Sequence, residues 1–435
     1  TRALGVQQAA DGSADAPGAA GNEDDLVLQR VHDGYRGCEG YNLPYHSNIP
    51  LIMTLPAPSD DQLAHSACVL QAIHDEIAHN GGWISFCRAM EMALYAPGLG
   101  YYSAGSEKFG AGGDFVTAPE ISALFGRTLA RQVAQVLRQA GGDVLELGAG
   151  TGRLAVQLLR ELQRLELLPQ RYLILEVSAH LRQVQSETLA RELPVELLQR
   201  VQWLEALPRQ FTGCVIGNEV LDALPVHLLV WREEVACERG VAIEDGRLVW
   251  QERALAPGAL RTAAEALALP PGYVSEINLA ASALIASLAD MLQCGALLLL
   301  DYGFPRHEYY HPQRTQGTLM CHFRHHAHDD PLLYLGLQDI TAHVDFTAAA
   351  EAGVAHGLDL LGYATQAQFL INAGITELLA EVSPRDMGAY LPLAAEAQKL
   401  LSPAEMGELF KVIAFGRGLE APLIGFARGD KRHVL

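Results

Sequence analysis

The chain is poor in cations, in aromatic residues and in long apolar runs. Lys and Arg number 31 against 51 Asp and Glu, a formal net charge of −20 over 435 residues. Phosphate backbones need a concentrated basic surface, so a nucleic-acid partner is excluded, and an anionic membrane surface is disfavoured for the same reason. No apolar run approaches the ~20 residues that span a bilayer, the longest candidates being short blocks such as Ala296 to Leu300. A soluble protein is expected. The seven cysteines (Cys38, Cys68, Cys87, Cys214, Cys237, Cys294 and Cys321) are scattered, odd in number and never in a C-x-x-C pair. They read as reduced thiols rather than as a disulfide framework or a zinc site, which points to the cytoplasm.

What is present is ordinary for a globular chain: 49% hydrophobic and 19% charged residues. The length suggests two to three domains, or one with large insertions. Residues 1–52 stand apart, with Ala9 to Asp25 rich in Ala, Gly, Asp and Ser and no apolar periodicity; a disordered leader is expected. Its seven acids against three arginines disfavour a mitochondrial transit peptide, and it lacks the basic start and apolar block of a secretory signal. The chain begins at Thr1, and Met53, just before the first patterned segment, is the expected natural start.

Residues 53–122 read as N-terminal helices followed by a glycine-rich loop: Ser59 as an N-cap, apolar residues from Leu63 to Ile77, a second helix over Ile84 to Leu94, then five glycines between Gly98 and Phe115. From residue 123 a core begins in which strands and helices alternate. The strands are Asp143 to Leu147, Tyr172 to Glu176, Cys214 to Gly217 and Ala296 to Leu300, the last after a helical run that Gly295 is expected to stop. Such alternation predicts a doubly wound, mostly parallel sheet with helices on both faces. Insertions interrupt it at about 225–280 (antiparallel strands around Glu244-Asp245-Gly246, then a helix near Ala256 to Leu269), 303–346 (irregular, rich in His, Asp and Pro) and 365–409 (helical). A β pair is expected to close the chain, from Val412 to Gly416 and from Leu423 to Ala427.

The chemistry concentrates in Asp143-Val-Leu-Glu-Leu-Gly-Ala-Gly-Thr-Gly-Arg-Leu154, where a strand enters a helix through Gly148, Gly150 and Gly152. Free helix N–H groups and close backbone approach make a ligand cradle there. Dinucleotide sites use G-x-G-x-x-G; here the third glycine comes one residue early and is followed by Arg153. Glu146, two residues before the first glycine, would repel a pyrophosphate, whereas S-adenosylmethionine (SAM) carries an ammonium and a sulfonium and no phosphate. E-x-G-x-G-x-G is therefore a methyltransferase-type signature, with a structural strand-turn-helix or a nucleotide site as alternatives. Glu176 ends the second strand, where a carboxylate can accept both ribose hydroxyls of an adenosine or can simply be solvated. Asn218-Glu219-Val-Leu-Asp222-Ala-Leu-Pro225 follows the third strand. There Glu219 and Asp222 can hold a cationic nitrogen and assist loss of its proton, or Asp222 can cap a helix and Glu219 face water.

These blocks, together with Tyr95-Ala-Pro-Gly-Leu-Gly-Tyr-Tyr102, Gly113-Asp-Phe-Val-Thr-Ala-Pro-Glu-Ile-Ser122, Leu300-Asp-Tyr-Gly303 and Asp339-Ile-Thr-Ala-His-Val-Asp-Phe346, resemble the MidA-like family of SAM-dependent methyltransferases over roughly Trp83 to Gly429. The family includes the mitochondrial complex I assembly factor that methylates an arginine of a complex I subunit. The resemblance implies a Rossmann-like methyltransferase fold with an inserted substrate lobe, SAM as cofactor, and a protein substrate presenting an arginine. It implies that Gly113 to Ser122 covers the cofactor, with Asp114, Phe115 and Glu120 in contact, and that Tyr302, the segment around Glu276 and Asp339 to Phe346 lie toward the substrate. Phe115 and Asp114 can equally serve packing and capping. An extended segment would put Thr341, His343 and Asp345 on one face, with His343 a general base or a structural histidine.

His322, His325, His326 and His328 with Asp329 and Asp330 suggest zinc, but no Cys or His pair elsewhere completes a set and methyl transfer needs no metal, so none is expected. The alternatives in function are a non-catalytic SAM-binding assembly factor or chaperone, a small-molecule N- or O-methyltransferase, and a dinucleotide oxidoreductase. The oligomeric state is open, a homodimer included.

Overall fold

A computed structural model describes residues 55–104, 116–233 and 235–435. In chain order the strands are β1 (Trp83–Ser85), β2 (Asp143–Leu147), β3 (Tyr172–Leu175), β4 (Val201–Leu204), β5 (Phe211–Asn218), β6 (His227–Arg232), β7 (Val235–Glu244), β8 (Arg247–Ala254), β9 (Val274–Ile277), β10 (Leu292–Phe304), β11 (Met320–Phe323), β12 (His326–His328), β13 (Asp339–Thr341), β14 (Val344–Asp345), β15 (Asp359–Thr365) and β16 (Phe410–Arg417).

The central sheet has the order β15-β16-β10-β5-β2-β3-β4, with β14 beside the end of β10. From β10 to β4 every pairing is parallel, and β16 joins β10 and β15 antiparallel. Its strands are continuous apolar runs because both faces are covered. In β10, Ala296, Leu298 and Leu300 enter the core under the helices Ala123–Ala140 and Arg153–Arg164. Leu297 and Leu299 enter the opposite core, under Leu279–Met291 and Phe346–Ala355. The expected doubly wound sheet is present.

Two local expectations are corrected. Gly295 does not stop a helix: the helix ends at Met291, and Gly295 lies inside β10 at φ 132°, where a Cβ would collide with the Gly213 carbonyl of β5. That glycine is required by strand-to-strand approach. The closing β pair is β15 with β16, while Ile424–Phe426 is a 3₁₀ turn whose Phe426 ring lies directly against Gly362 of β15.

The N-terminal helices and the insertion after β5, distant in sequence, share a second sheet, β1-β7-β6-β9, with β8 on β7. Ile84 belongs to β1, not to the helix expected there; Ser85 accepts from Arg88 N and so caps the helix Phe86–Tyr95. Val69, Ile73 and Ile77 of the helix Asp60–His79 share a core with Phe86, Met90 and Leu94 and with Val226, Leu228 and Val241 on the side of the second sheet. A small sheet, β12-β11-β13, contributes Cys321 and Ile340 to this core. The resulting lobe meets the turn after β5, where the Tyr95 phenol donates to Ala223 O and Ala342 N to Asp222 O, at the carboxyl edge where α/β sheets bind ligands. The leader and the covering loop with Gly113, Asp114 and Phe115 lie outside the described residues.

Candidate active site

The turn after β2 explains its alternate glycines. Gly148, Gly150 and Gly152 have φ of 58°, 52° and 83°, a region costly for any residue with a Cβ. Gly148 N donates to Leu175 O at 3.0 Å, and the helix Arg153–Arg164 starts at Gly152 without a side-chain cap. The loop borders a solvent-open cleft lined by Thr117, Pro119, Glu120, Glu146, Gly148 to Thr151, Arg153, Leu154 and Asn218. Glu120, on the short helix Ala118–Ile121, reaches down to the loop: the Thr151 hydroxyl donates to it, and Arg153 Nε lies 3.6 Å away.

Two carboxylates are buried at the strand ends. Glu146 accepts from the Tyr172 phenol at 2.6 Å. Burial pushes its pKa up, the phenol pulls it down and the charge of Glu176 adds to the rise, giving about 7. Glu176 accepts from Ser178 N at 2.9 Å and Gln185 Nε2 at 3.0 Å; burial raises its pKa against those hydrogen bonds. The same Gln185 amide donates to Gly150 O at 3.1 Å, tying the glycine loop to the end of β3.

The turn after β5 forms a second cluster beside Asn218. Asp301, fully buried in β10, accepts three successive amides at Oδ2, those of Val220 (3.1 Å), Leu221 (2.9 Å) and Asp222 (3.2 Å), and that of Tyr302 at Oδ1 (2.9 Å). This grip bends the chain so that Glu219 adopts φ 53°. Asn218 Nδ2 donates to Glu219 Oε1 at 3.0 Å, and the Tyr302 phenol donates to Asp222 Oδ2. Asn218 Oδ1 and Asp222 Oδ1 are buried and accept no hydrogen bond. Burial raises the pKa of Glu219 to about 8, helped by the charge of Asp222, and raises that of Asp222 to about 6 against the Tyr302 hydrogen bond. Asp301 is pushed well above the carboxylate range by burial and then by Asp222 and Glu219. Acids this close cannot all ionise without a cation among them.

Tyrosines frame the cluster from the lobe. The Tyr95 phenol donates to Ala223 O at 2.9 Å and its ring stacks on Tyr102, which donates to Asp339 Oδ1 at 2.8 Å. His343 sits edge-on to Tyr302 and Phe304, both at 5.2 Å; burial, then Arg314 and Lys411, lowers its pKa to about 3, so the ring is neutral.

Glu146, Gly148, Gly150, Asn218 and Glu120 thus converge on one cleft, with Glu176 at the adjoining strand end and Glu219, Asp222 and Tyr302 next to Asn218. Two expected residues are engaged elsewhere. Asp345 N-caps the helix Phe346–Ala355 through Thr347 N and Ala348 N and pairs with Arg306 at 3.4 Å; β13 ends at Thr341 and β14 begins at Val344, with His343 between them. Glu276 spends its carboxylate on Thr318 N, Leu319 N and the hydroxyls of Thr318 and Tyr309. The spacing of the glycines and acids marked the loops, but Asp301, Gln185, Tyr172 and Thr151 gave no signal of their own beyond lying near or within recognised blocks. Among the described residues no group of three or more His, Cys, Asp or Glu could hold a metal ion.

A glycine turn between the first two parallel strands, with acids at successive strand ends, defines the methyltransferase class of α/β fold. Residues 128–364 match the family model described as "Putative S-adenosyl-L-methionine-dependent methyltransferase". The chain is 30% identical over 371 residues to a protein arginine methyltransferase NDUFAF7, mitochondrial, of Danio rerio, covering 76% of this chain and 82% of the relative. It is 28% identical over 394 residues to the Drosophila melanogaster homolog, covering 80% and 86%. A Burkholderia thailandensis crystal structure bound to S-adenosyl-homocysteine shares 54% identity at a TM-score of 0.85, covering 88% of this chain and 100% of that one. The chain belongs to the MidA-like family of SAM-dependent methyltransferases, and SAM is its cofactor.

Proposed function

We propose that the protein transfers the SAM methyl group to a guanidinium nitrogen of an arginine on a protein substrate. The observation that carries this reading is the pair of buried, unpartnered acceptors, Asn218 Oδ1 and Asp222 Oδ1, beside the elevated acid Glu219. Those two oxygens are left without a donor among carboxyl groups, and a planar guanidinium supplies both donors and positive charge. The names of the relatives, protein arginine methyltransferases, support the same substrate class, and the family resemblance extends it to a respiratory complex I subunit.

The cleft fits SAM by its donor set. Backbone at Gly148, Gly150 and Gly152 approaches the ligand, Glu146, Glu120 and Asn218 meet its cationic and polar methionine end, and Glu176 accepts the ribose hydroxyls. Gly113, Asp114 and Phe115 are further proposed cofactor contacts on the strength of the family resemblance. Bound SAM supplies an activated methyl on a sulfonium. The chain's own task is alignment: Asp222 and Glu219 hold the guanidinium and accept the proton released, Tyr302 fixes the Asp222 carboxylate, and neutral His343 packs Tyr302 in place. The cytoplasm is the proposed compartment, supported by six described cysteines that are all free; no helix among the described residues is long and apolar enough to cross a membrane.

The test is labelled-methyl transfer from SAM into a lysate of cells lacking the protein, followed by amino-acid analysis. Label on arginine is the expected result. Label confined to small metabolites would sink the protein-substrate reading, and no label at all would favour a binding role without catalysis.

A further inference from the structure

The cleft is lined by two acids and one cation: among the described residues its charged members are Glu120, Glu146 and Arg153. SAM brings an ammonium, a sulfonium and a carboxylate to it. Acids draw in the first two and repel the third. A carboxylate placed beside Glu120 and Glu146 needs a positive charge against it, and in that lining Arg153 supplies it. Arg153 is the first residue of the twelve-residue helix Arg153–Arg164, whose N-terminal amides favour an anion at the same end. It also stands where a G-x-G-x-x-G loop would place its third glycine, a residue that could not supply this charge.

Arg153 is held loosely. Its Nε lies 3.6 Å from Glu120 Oε2, and its one hydrogen bond among the described residues runs from Nη1 to Glu192 Oε1 at 3.4 Å. Arg171 grips Asp143 at 2.5 Å and Arg232 grips Glu252 at 2.8 Å, so the Arg153 contacts are long for a guanidinium with five N–H donors. The Arg153 side chain is 44% exposed against 17% for Glu120. Glu120 is placed firmly: it accepts from the Thr151 hydroxyl, and the Gln157 amide holds its helix by donating to Pro119 O at 2.8 Å. A fixed carboxylate and a yielding guanidinium thus stand side by side on the cleft, a pair complementary to an ammonium and a carboxylate carried on one carbon.

We propose, on the reading that this cleft holds the cofactor, that Glu120 and Arg153 form a zwitterion clamp for the methionyl end of SAM: Glu120 takes the ammonium and the Arg153 guanidinium takes the carboxylate. The two charges of the ligand replace the long Glu120–Arg153 contact, so neither protein charge loses its partner when the site fills. The consequence is selectivity. An adenosyl compound that keeps the ammonium and lacks the carboxylate sets a cation against Arg153 and binds more weakly.

The probes are SAM and decarboxylated SAM, which differ only at that carboxylate, titrated calorimetrically into the full chain and its variants without a methyl acceptor. The wild type is expected to bind SAM at least about tenfold tighter than the decarboxylated compound, the scale of one hydrogen-bonded charge pair. Arg153→Gln is expected to bring SAM down to the decarboxylated affinity while binding decarboxylated SAM no more weakly than the wild type does, which also shows that the variant is folded. Arg153→Lys, which keeps the charge without the planar fork, is expected to fall between. Equal affinities of the two ligands for the wild type overturn the proposal, whether or not any variant folds. So does an Arg153→Gln variant that keeps its preference for SAM, including one that loses both ligands alike. Gly148→Val, run alongside, tells the two failures apart. If it abolishes SAM binding while Arg153→Gln leaves it intact, the cleft is the cofactor site and the clamp is absent; if neither weakens it, the cofactor lies elsewhere and the clamp falls with the cleft.

Discussion

The Asp301 side chain holds the Asp222 backbone: Oδ2 of Asp301 accepts from Asp222 N at 3.2 Å and, with the same oxygen, from the two amides before it. A strand-end carboxylate thereby fixes where the neighbouring acid points, and with it the geometry offered to a cation.

Replacing Asp301 tests that grip. Asp301→Asn keeps shape but turns one acceptor into a donor, which must face either the amides of residues 220–222 or Tyr302 N. A buried donor opposed to a donor costs about 1–3 kcal/mol. Urea unfolding is expected to show a loss of that order, with methyl transfer falling more than S-adenosyl-homocysteine binding. An unchanged unfolding midpoint with full activity would remove Asp301 from this role.

The Tyr302 phenol lowers the pKa of Asp222 against the burial that raises it to about 6. On the proposed mechanism Asp222 must be ionised to hold the substrate, so activity rises as pH climbs through that value. Tyr302→Phe removes the lowering hydrogen bond, and the acid limb of the pH–rate profile is expected to move to higher pH. A limb displaced by about one pH unit lowers the rate roughly tenfold at a fixed pH below it. A limb that stays in place would separate Tyr302 from Asp222 ionisation.

Gly148 sits at φ 58° on the edge of the cleft, with Val220 Cγ2 3.5 Å from where a Cβ would stand. Gly148→Val adds a branched side chain to left-handed backbone, a penalty of roughly 1–2 kcal/mol before any clash. Calorimetric titration with S-adenosyl-homocysteine is expected to show binding weakened by tenfold or more. Wild-type affinity in this variant would place the cofactor elsewhere.

Glu146 carries a pH signature of its own. Its folded pKa, about 7, is raised from the ordinary 4.5, so the folded state binds the extra proton between those values. Stability attached to this group is therefore present below about 4.5 and is lost as pH rises toward 7. Glu146→Gln stays neutral throughout and can still accept from Tyr172. The stability difference is expected to move in favour of the variant across that window, read by denaturant unfolding at each pH, while cofactor binding weakens. A difference independent of pH would mean that Glu146 is ionised in the ligand-free fold.

Periodicity and local spacing were enough for much of the architecture. Alternating apolar strands and amphipathic helices determined the doubly wound sheet, and the three glycines with Glu146 marked the cofactor turn, because a turn's φ demands and a strand's burial are properties of neighbouring residues. What depends on distant residues meeting was not legible. Asp345 and Glu276 look like site acids in sequence, yet one caps the next helix and the other collects amides from Thr318 and Leu319. Gly295 reads as a helix stop until Gly213 of the adjacent strand is seen pressed against it. Only the packing of β5 beside β10 gave Asp301 its three amides and left Asp222 Oδ1 buried without a donor. Only the pairing of β1 with β7 joined the N-terminal helices to the insertion after β5, since contacts between residues more than a hundred positions apart are set by strand register and not by local composition.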